Sequence, residues 1–255
     1  MPFVESALYD LIYRALARSG VYRKVISVTA KGLPDWVIPL SHIDAADLKR
    51  VAASLRLAPG RRFVDLACGL GGPGLWIAQQ TGAELTGVDF SSAATEAARA
   101  AAGEQQLNHA HFVTADAGAT GLPSGAYDAV MCIDSFQFLQ PAGACEEIAR
   151  LLRAGGRAVV ITWESLVDAL PLPTMVHDYT AYFTEAGLDI VQRSLEPDAR
   201  EREMRFFREL TAHANEFRAE IGEAAEPLLH EAAERIARAD DAPRVRKVFI
   251  VAQAR

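Results

Sequence analysis

The chain has 255 residues, of which 50% are hydrophobic and 23% are charged, and its formal net charge is −7. This composition is typical of a globular protein large enough for one domain with a small lid. An acidic surface repels phosphates, so we expect no nucleic-acid partner. The cysteines lack zinc-site spacing, which predicts free thiols and no metal. The chain start lacks a secretory signal and no apolar run reaches membrane-spanning length, so we expect a cytoplasmic protein without a membrane partner.

The first 58 residues carry helical patterns. Apolar residues recur at the spacing of one helix face at Leu8, Leu11, Ile12, Ala15 and Leu16. A second helical segment, 44–55, follows Ser41, a residue type that caps helix N-termini, and ends before Pro59. We expect residues 1–58 to form a helical lid segment that precedes a larger domain at 59–255.

The rest of the chain alternates short apolar strands with helices, which predicts a parallel sheet covered by helices on both faces. The predicted strands are 62–67, 84–90, 111–116, 126–134, 157–164, 188–196 and 245–255. We expect one helix to be capped by Ser91 or Ser92, one over 145–156 to stop at a glycine pair, and one over 175–187. Residues 198–241 form a long helical insertion before the last strand, which we expect to complete the lid.

The stretch DLACGLGGPG contains a G-x-G-x-x-G match at Gly69, Gly71 and Gly74, between a predicted strand and a predicted helix. Glycine adopts positive φ and lets backbone approach a ligand without a clash at Cβ. In sheets of this kind, ligands bind beyond the carboxyl ends of the strands, where the strand order reverses. The glycines by themselves fit NAD and other adenosine-containing ligands equally.

Three acidic residues discriminate between these ligands, because they stand in or at the ends of three successive strands: Asp65, Asp89 and Asp116. Asp65 suits the amino-acid side of a ligand or the ordering of its own loop, and it would repel a pyrophosphate. Asp89 can accept from both ribose hydroxyls, and Asp116 from the exocyclic amine of adenine. The set favours a phosphate-free ligand with a positive centre. An NAD(P)-dependent oxidoreductase is the alternative, although it leaves Asp65 and Asp116 without a role.

Five stretches of the chain resemble the motifs of class I S-adenosylmethionine-dependent methyltransferases. They are VDLACGLGGPG, GVDFS, TADAGATGLP, YDAVMCIDSFQFL and LLRAGGRAVVITWE, and the resemblance covers about residues 60–165. The resemblance implies an α/β fold with a doubly wound, seven-stranded, mostly parallel sheet of the Rossmann-like methyltransferase type. Within the class, the chain looks like the small-molecule branch that includes quinone and sterol biosynthesis. Gln137 and Phe138 stand where that branch often has a His pair.

The resemblance also implies which residues hold S-adenosylmethionine. The first strand and its loop face the methionine end, the second strand end holds the ribose, the third faces the adenine, and the fourth borders the sulfonium and the substrate. In chain order these residues are Asp65, Gly69, Gly71, Asp89, Phe90, Asp116, Ala117, Asp134, Ser135 and Phe136. We expect a small, partly apolar acceptor and a monomer or homodimer.

The reaction implied by the resemblance is methyl transfer to an O, N or C atom, and the acceptor decides whether a base is needed. The base candidates are His177 and His42, which carry imidazoles, and Glu164 at the end of the fifth predicted strand. The N-P-P-[FYW] motif of amino-methylating DNA enzymes is absent after the fourth strand, where IDSFQF stands, which favours a small acceptor. A protein that keeps the cofactor without methylating anything is a further alternative.

Overall fold

A seven-stranded sheet forms the centre of the protein in the computed structural model, which describes residues 6–168, 172–241 and 243–255. The strands are β1 (Arg62–Leu66), β2 (Glu84–Asp89), β3 (Ala110–Thr114), β4 (Tyr127–Ile133), β5 (Leu152–Ser165), β6 (Leu188–Leu195) and β7 (Val245–Ala254). Their order is β3-β2-β1-β4-β5-β7-β6. The first five strands pair in parallel, and β7 runs antiparallel to β5 and β6. The predicted doubly wound, mostly parallel fold is therefore confirmed.

Ten α-helices connect and cover the strands within the described ranges. They are α1 (Ser6–Leu16), α2 (Gly20–Thr29), α3 (Ala45–Ser54), α4 (Gly72–Thr81), α5 (Ser92–Glu104), α6 (Pro141–Leu151), α7 (Thr180–Glu185), α8 (Ala199–Ala212), α9 (Ala214–Ile221) and α10 (Glu226–Ala237). Among the described residues, no helix is both long and apolar enough to cross a bilayer. The strand order reverses between β1 and β4, which places a ligand crevice beyond their carboxyl ends.

Two apolar cores cover opposite faces of the sheet, because successive residues of a strand point to opposite faces. Phe63 of β1 lies in one core with Leu48 of α3 and Leu75 of α4. Its neighbour Val64 lies in the other core with Ile148 of α6. Helix α3 thus packs on the sheet, although it precedes the expected boundary at residue 58.

A third apolar core joins the N-terminal helices to the insertion before the last strand. Leu16 of α1 and Tyr22 of α2 lie in this core with Phe206 of α8 and Phe217 of α9. The Tyr22 and Phe217 rings stack with centroids 6.4 Å apart. We call the layer formed by α1, α2 and α8–α10 the lid layer. The division of the chain at residue 58 and the closing of a lid remain predictions.

A single carboxylate connects the two parts of the lid layer. Glu220 of α9 accepts hydrogen bonds from the backbone N–H of Gly20 at 2.7 Å and of Val21 at 3.1 Å, and from the Ser19 hydroxyl. These donors lie at the start of α2, where backbone N–H groups have no partner within the helix. Helix α2 therefore depends on a side chain about 200 residues further along the chain for two of its N-terminal backbone hydrogen bonds.

Two predicted helices are shorter in the structure. The helix expected to stop at the glycine pair ends at Leu151, and both glycines lie inside β5. Gly155 has φ +73°, and a Cβ on Gly156 would lie 2.9 Å from the carbonyl oxygen of Arg153. The pair therefore bends the start of a strand. The helix expected over 175–187 is confined to α7.

The capping of α3 also differs from the prediction. Asp44 caps this helix in place of Ser41, and its side chain accepts from the backbone N–H groups of Ala46 and Asp47. The Asp47 side chain accepts in return from the backbone N–H of Asp44, which completes a capping box. The predicted cap Ser91 is confirmed, since its hydroxyl accepts from the backbone N–H of Ala94 at the start of α5.

Candidate functional site

The glycine loop after β1 is left-handed at alternate residues. Ala67, Gly69 and Gly71 have φ values of 56°, 52° and 76°. A Cβ on Gly71 would lie 2.8 Å from the Cβ of Ala98, closer than real side-chain carbons approach. Gly71 is also the N-cap of α4, so the loop leads directly into a helix N-terminus. Glycine is required at this position for both its φ and its lack of a side chain.

Asp89 at the end of β2 ties this loop to the next helix. Its Oδ2 accepts from the backbone N–H of Gly69 at 2.8 Å, and its Oδ1 accepts from the backbone N–H of Ser91 at 3.0 Å. The side chain is buried, and burial raises the pKa of Asp89, while the two backbone hydrogen bonds oppose the rise. Asp89 and the following residue, Phe90, both line the cavity described below.

Asp65 lies beneath the glycine loop. It is buried within β1, and its Oδ2 would be 2.7 Å from a Cβ on Gly74 in α4. Burial, and next the charge of Asp89, raise the pKa of Asp65 well above its ordinary value. Neither Asp65 nor the loop glycines Gly69 and Gly71 line the cavity.

The residues expected at the adenine follow β3. Asp116 is exposed, and its Oδ1 accepts from the backbone N–H of Gly118 at 2.7 Å. Ala117 is buried in the core that includes Val64. Neither residue lines the cavity, and their contact with adenine remains a prediction.

Asp134 at the end of β4 has a left-handed backbone with φ 55° and a buried cation as its partner. Its Oδ2 accepts from the Lys247 ammonium at 2.6 Å. Its Oδ1 has no hydrogen-bond partner among the described residues. Asp134 and its neighbour Ser135 line the cavity, whereas Phe136 is buried against Tyr179.

A cavity of about 740 Å³ lies between these strand ends and the lid layer, a size typical of small-molecule sites. Strand ends contribute one wall, and α1, α8 and α10 contribute the other. Its ring-bearing and sulfur-bearing side chains are Tyr9, Tyr13, Tyr22, His42, Phe90, Phe138, Trp163, Met175, Met204, Phe206 and Phe207. Tyr13 covers the glycine loop, since a Cβ on Gly69 would lie 3.4 Å from its hydroxyl oxygen.

Of the three base candidates, the structure brings only His42 to the cavity. His177 is mostly exposed and lies outside the cavity lining, and its Nδ1–H donates to the carbonyl oxygen of Ser165 at 3.0 Å. Glu164 is fully buried away from the cavity, and its Oε2 lies 2.6 Å from Arg193 and 2.8 Å from Arg246. A carboxylate held by two guanidinium groups cannot reach an acceptor. The predictions of His177 and Glu164 as bases are therefore corrected, because neither side chain lines the cavity.

His42 sits among aromatic rings. Its ring centroid lies 5.0 Å from that of Phe206 and 5.4 Å from that of Phe207. Its Nδ1 is buried without a hydrogen-bond partner among the described residues. Burial, and next the charge of Lys247, lower the pKa of His42 to about 3. The imidazole is therefore neutral at physiological pH and has little affinity for a proton.

Two residues at this site are missing from the sequence-based prediction. Lys247 is a buried cation in β7, and its position directly before the apolar run VFIVA was the available signal. Glu203 lies in the Glu- and Arg-rich helix α8, yet it is buried and lines the cavity. The sequence signal for the burial of Glu203 was its spacing of three and four residues from Phe206 and Phe207, which places the three side chains on one helix face.

With this geometry in place, comparison with known proteins identifies the class. The family described as "Methyltransferase domain" matches residues 64–160, which contain most of β1, all of β2 to β4, the glycine loop and most of β5. Residues 64–160 therefore match a methyltransferase domain, as the motifs of the chain predict. The match also decides against the dinucleotide alternative.

Individual relatives extend this comparison. The chain is 31% identical over 166 residues to a ubiquinone biosynthesis O-methyltransferase of Alkalilimnicola ehrlichii, covering 59% of this chain and 66% of that protein. It is 32% identical over 143 residues to the chloroplastic tocopherol O-methyltransferase of Arabidopsis thaliana, covering 51% and 41%. The chain thus spans about two thirds or less of these relatives' lengths. The crystal structure of the [4+2]-cyclase SpnF has the same fold, with a TM-score of 0.76, 22% identity, and coverage of 98% of this chain and 94% of that one.

Proposed function

We propose that the protein transfers a methyl group from S-adenosylmethionine to an O, N or C atom of a small, partly apolar metabolite. The observation that carries the proposal is one continuous cavity that joins the acidic strand ends to an apolar wall of helices. Asp89 and Asp134 line it on the strand side, and Met204, Phe206 and Phe207 line it on the helix side. A cofactor and an acceptor can therefore meet inside a single cavity.

The residues at the strand ends fit this cofactor. Each oxygen of Asp89 accepts one backbone hydrogen bond, and a carboxylate oxygen has a second lone pair that a ribose hydroxyl can use. The unpartnered Oδ1 of Asp134 is an open acceptor at the expected sulfonium end. A diphosphate would meet a like charge at Asp89. We assign Asp65, Gly69 and Gly71 to the methionine end, in keeping with the motif resemblance.

The same assignment gives Phe90 the adenine edge, Asp116 and Ala117 the adenine face, and Ser135 the border with the substrate. Phe90 is the best supported of these, since it lines the cavity and packs edge-on against Tyr9 with centroids 5.4 Å apart. Asp116 would reach the adenine from outside the present cavity wall. That requires a change in the loop after β3.

The bound cofactor supplies a methyl group on a positively charged sulfur. The chain's contribution is to align the acceptor with that methyl, which accounts for much of the rate of a direct displacement. Water is excluded by the rings of the lid layer, such as Tyr13 and Tyr22. Aromatic faces at the cavity also attract a cation, so Tyr13, Trp163 and Phe206 favour the charged ligand over a neutral one.

The apolar wall supports a hydrophobic acceptor. The names of the two relatives above, a ubiquinone biosynthesis and a tocopherol O-methyltransferase, suggest acceptors with a hydroxylated ring and an apolar tail. The three cysteines are free and buried, which supports a reducing, cytoplasmic location. The net charge of −7 supports the absence of a nucleic-acid partner. We further propose that the protein acts as a monomer or homodimer without a membrane partner, with 1–58 and 198–241 closing over the acceptor.

The test begins with calorimetry of the purified chain against S-adenosylhomocysteine and, separately, NAD. We expect heat from the first ligand only. Tritium from methyl-labelled S-adenosylmethionine should then appear in organic-extractable products when a mixture of phenols, amines and polyenes is offered. Binding of S-adenosylhomocysteine without any tritium transfer would instead favour a protein that keeps the cofactor but methylates no substrate. Binding of NAD alone would contradict both.

A further inference from the structure

Glu203 is a buried carboxylate at the cavity whose ion-pair partner, Arg235, lies beyond hydrogen-bond distance. It lies in α8, its side chain is 9% exposed, and it lines the cavity. The nearest cation is Arg235 of α10, whose Nη1 lies 3.6 Å from Oε1, beyond hydrogen-bond distance. Among the described residues, none donates a hydrogen bond to it. The oxygens of Glu203 are therefore available to a molecule in the cavity.

The position of Glu203 within α8 directs it inward. Phe206, Phe207 and Leu210 follow it at helical spacing and are buried on the same side of the helix. A carboxylate buried on an apolar helix face costs free energy unless a partner compensates its charge. Glu201, two residues earlier, points away from this face and is mostly exposed. The burial of Glu203 is therefore specific to its position and is not shared by the other acids of α8.

The surroundings of Glu203 strengthen its affinity for a proton. Burial raises the pKa of Glu203, and Glu231 of α10 and Asp134 of β4 add to the rise. Arg235 and Lys247 oppose it. A carboxylate in this environment is a better proton acceptor than one in water. His42, with a pKa of about 3, is a weaker one.

We propose that Glu203 is the catalytic base for an acceptor whose nucleophile is a phenolic or enolic hydroxyl. The inference rests on the proposed function and deepens it. The hydroxyl oxygen forms a bond to the methyl carbon while the carbon–sulfur bond breaks, and that electron pair goes to sulfur. The hydroxyl proton moves to an oxygen of Glu203. The sulfonium charge is neutralised, and the carboxylate becomes a carboxylic acid that later releases its proton to water.

The lining of the cavity favours a hydroxyl over the other acceptors. An amine would arrive protonated and pair with Glu203 as an ion, which occupies the lone pair needed for attack. An alkene carbon has no proton to lose before attack. A planar hydroxylated ring can pack on Phe206 and Phe207, which lie three and four residues from Glu203 and flank His42. The base and the ring-binding surface are thus on the same helix.

The experiment measures tritium transfer to a series of alkylated phenols, catechols and naphthols of graded acidity, from pH 6 to pH 9. The variants are Glu203→Gln, Glu203→Asp and, as a matched control, Glu201→Gln on the outer face of the same helix. Calorimetry with S-adenosylhomocysteine is run on each. We expect Glu203→Gln to lower the rate about 100-fold or more at pH 7, the usual contribution of a positioned base. Glu203→Asp should retain part of the rate.

The dependence on phenol acidity separates a base from a merely structural residue. In Glu203→Gln the rate should rise with pH and with the acidity of the phenol, because only ionised phenols then react. The wild type should show a much weaker dependence. An equal loss for every phenol at every pH, or a loss matched by Glu201→Gln, overturns the assignment of Glu203. If tritium enters amines or polyenes in the experiment under the proposed function but no phenol here, the assignment of a hydroxyl acceptor is overturned. If the wild-type protein does not bind S-adenosylhomocysteine, the proposed function itself is overturned.

Discussion

The Lys247 ammonium donates a 2.6 Å hydrogen bond to the Asp134 carboxylate, and this buried pair joins the end of β4 to β7 across the intervening β5. The Lys247 side chain is 1% exposed and that of Asp134 is 7% exposed. The pair therefore fixes the backbone of a cavity-lining residue that has a left-handed conformation.

Replacing Lys247 by Met should destabilise the protein by about 3 kcal/mol, since removal of one partner leaves an uncompensated buried charge. Urea unfolding followed by circular dichroism measures this change. The double variant Lys247→Met with Asp134→Asn should recover part of the loss. If the double variant is as unstable as the sum of the single variants, the two groups do not interact.

Replacing Asp89 by Asn should weaken S-adenosylhomocysteine binding about 10- to 100-fold. The reason is that a charged acceptor for a ribose hydroxyl becomes a neutral amide. Calorimetry at constant pH is the measurement. Asp189→Asn, at an exposed acid on β6 paired with Arg255, is the control and should bind normally. Equal affinities for the Asp89 variant and wild type would remove this residue from the cofactor site.

Replacing Gly71 by Ala should cost more stability than replacing Gly60, although both glycines have similar positive φ values, +76° and +78°. A Cβ at residue 60 meets nothing within 4 Å, whereas at residue 71 it meets the Cβ of Ala98 at 2.8 Å. The Gly60 variant should lose about 1 kcal/mol from backbone strain alone. The Gly71 variant should lose that amount plus the cost of the clash. Thermal unfolding of the two variants gives the comparison directly.

The protein should lose stability as pH falls from the ordinary histidine pKa of 6.5 toward the depressed pKa of His42. The unfolded imidazole takes up a proton below pH 6.5, while the folded one does so only near pH 3. His42 therefore stabilises the fold least at acid pH and should contribute a loss of about 2 kcal/mol between pH 7 and pH 5. The variant His42→Gln should lack this contribution when unfolding is measured at both pH values. Parallel pH profiles for the two proteins would contradict the burial of a neutral His42.

The sheet and the glycine loop could be predicted from the sequence because their signals are local. Apolar runs between turn residues define the strands, and the spacing of Gly69 and Gly71 defines the loop. The base candidates depended on orientation, which the sequence leaves open. Trp163 and Glu164 are neighbours near the end of β5. Because successive side chains of a strand point to opposite faces, Trp163 lines the cavity and Glu164 pairs with Arg193 and Arg246.

Glu203 and Lys247 required knowledge of packing between distant segments. The pattern of α8 allows either a solvated or a buried Glu203, and the choice is made by α10, which packs alongside it. Lys247 looks like an edge-strand lysine until β7 is seen to lie between β5 and β6. Side chains whose environment is built by remote elements are the ones that sequence reasoning places least well.

The contact of Glu220 with the first turn of α2 has a consequence for how the chain matures on the ribosome. The carboxylate that satisfies Gly20 and Val21 is synthesised about 200 residues after them. β7, which bridges β5 and β6, is synthesised later still. Helix α2 must therefore wait for this partner until the segment that contains α9 has left the exit tunnel.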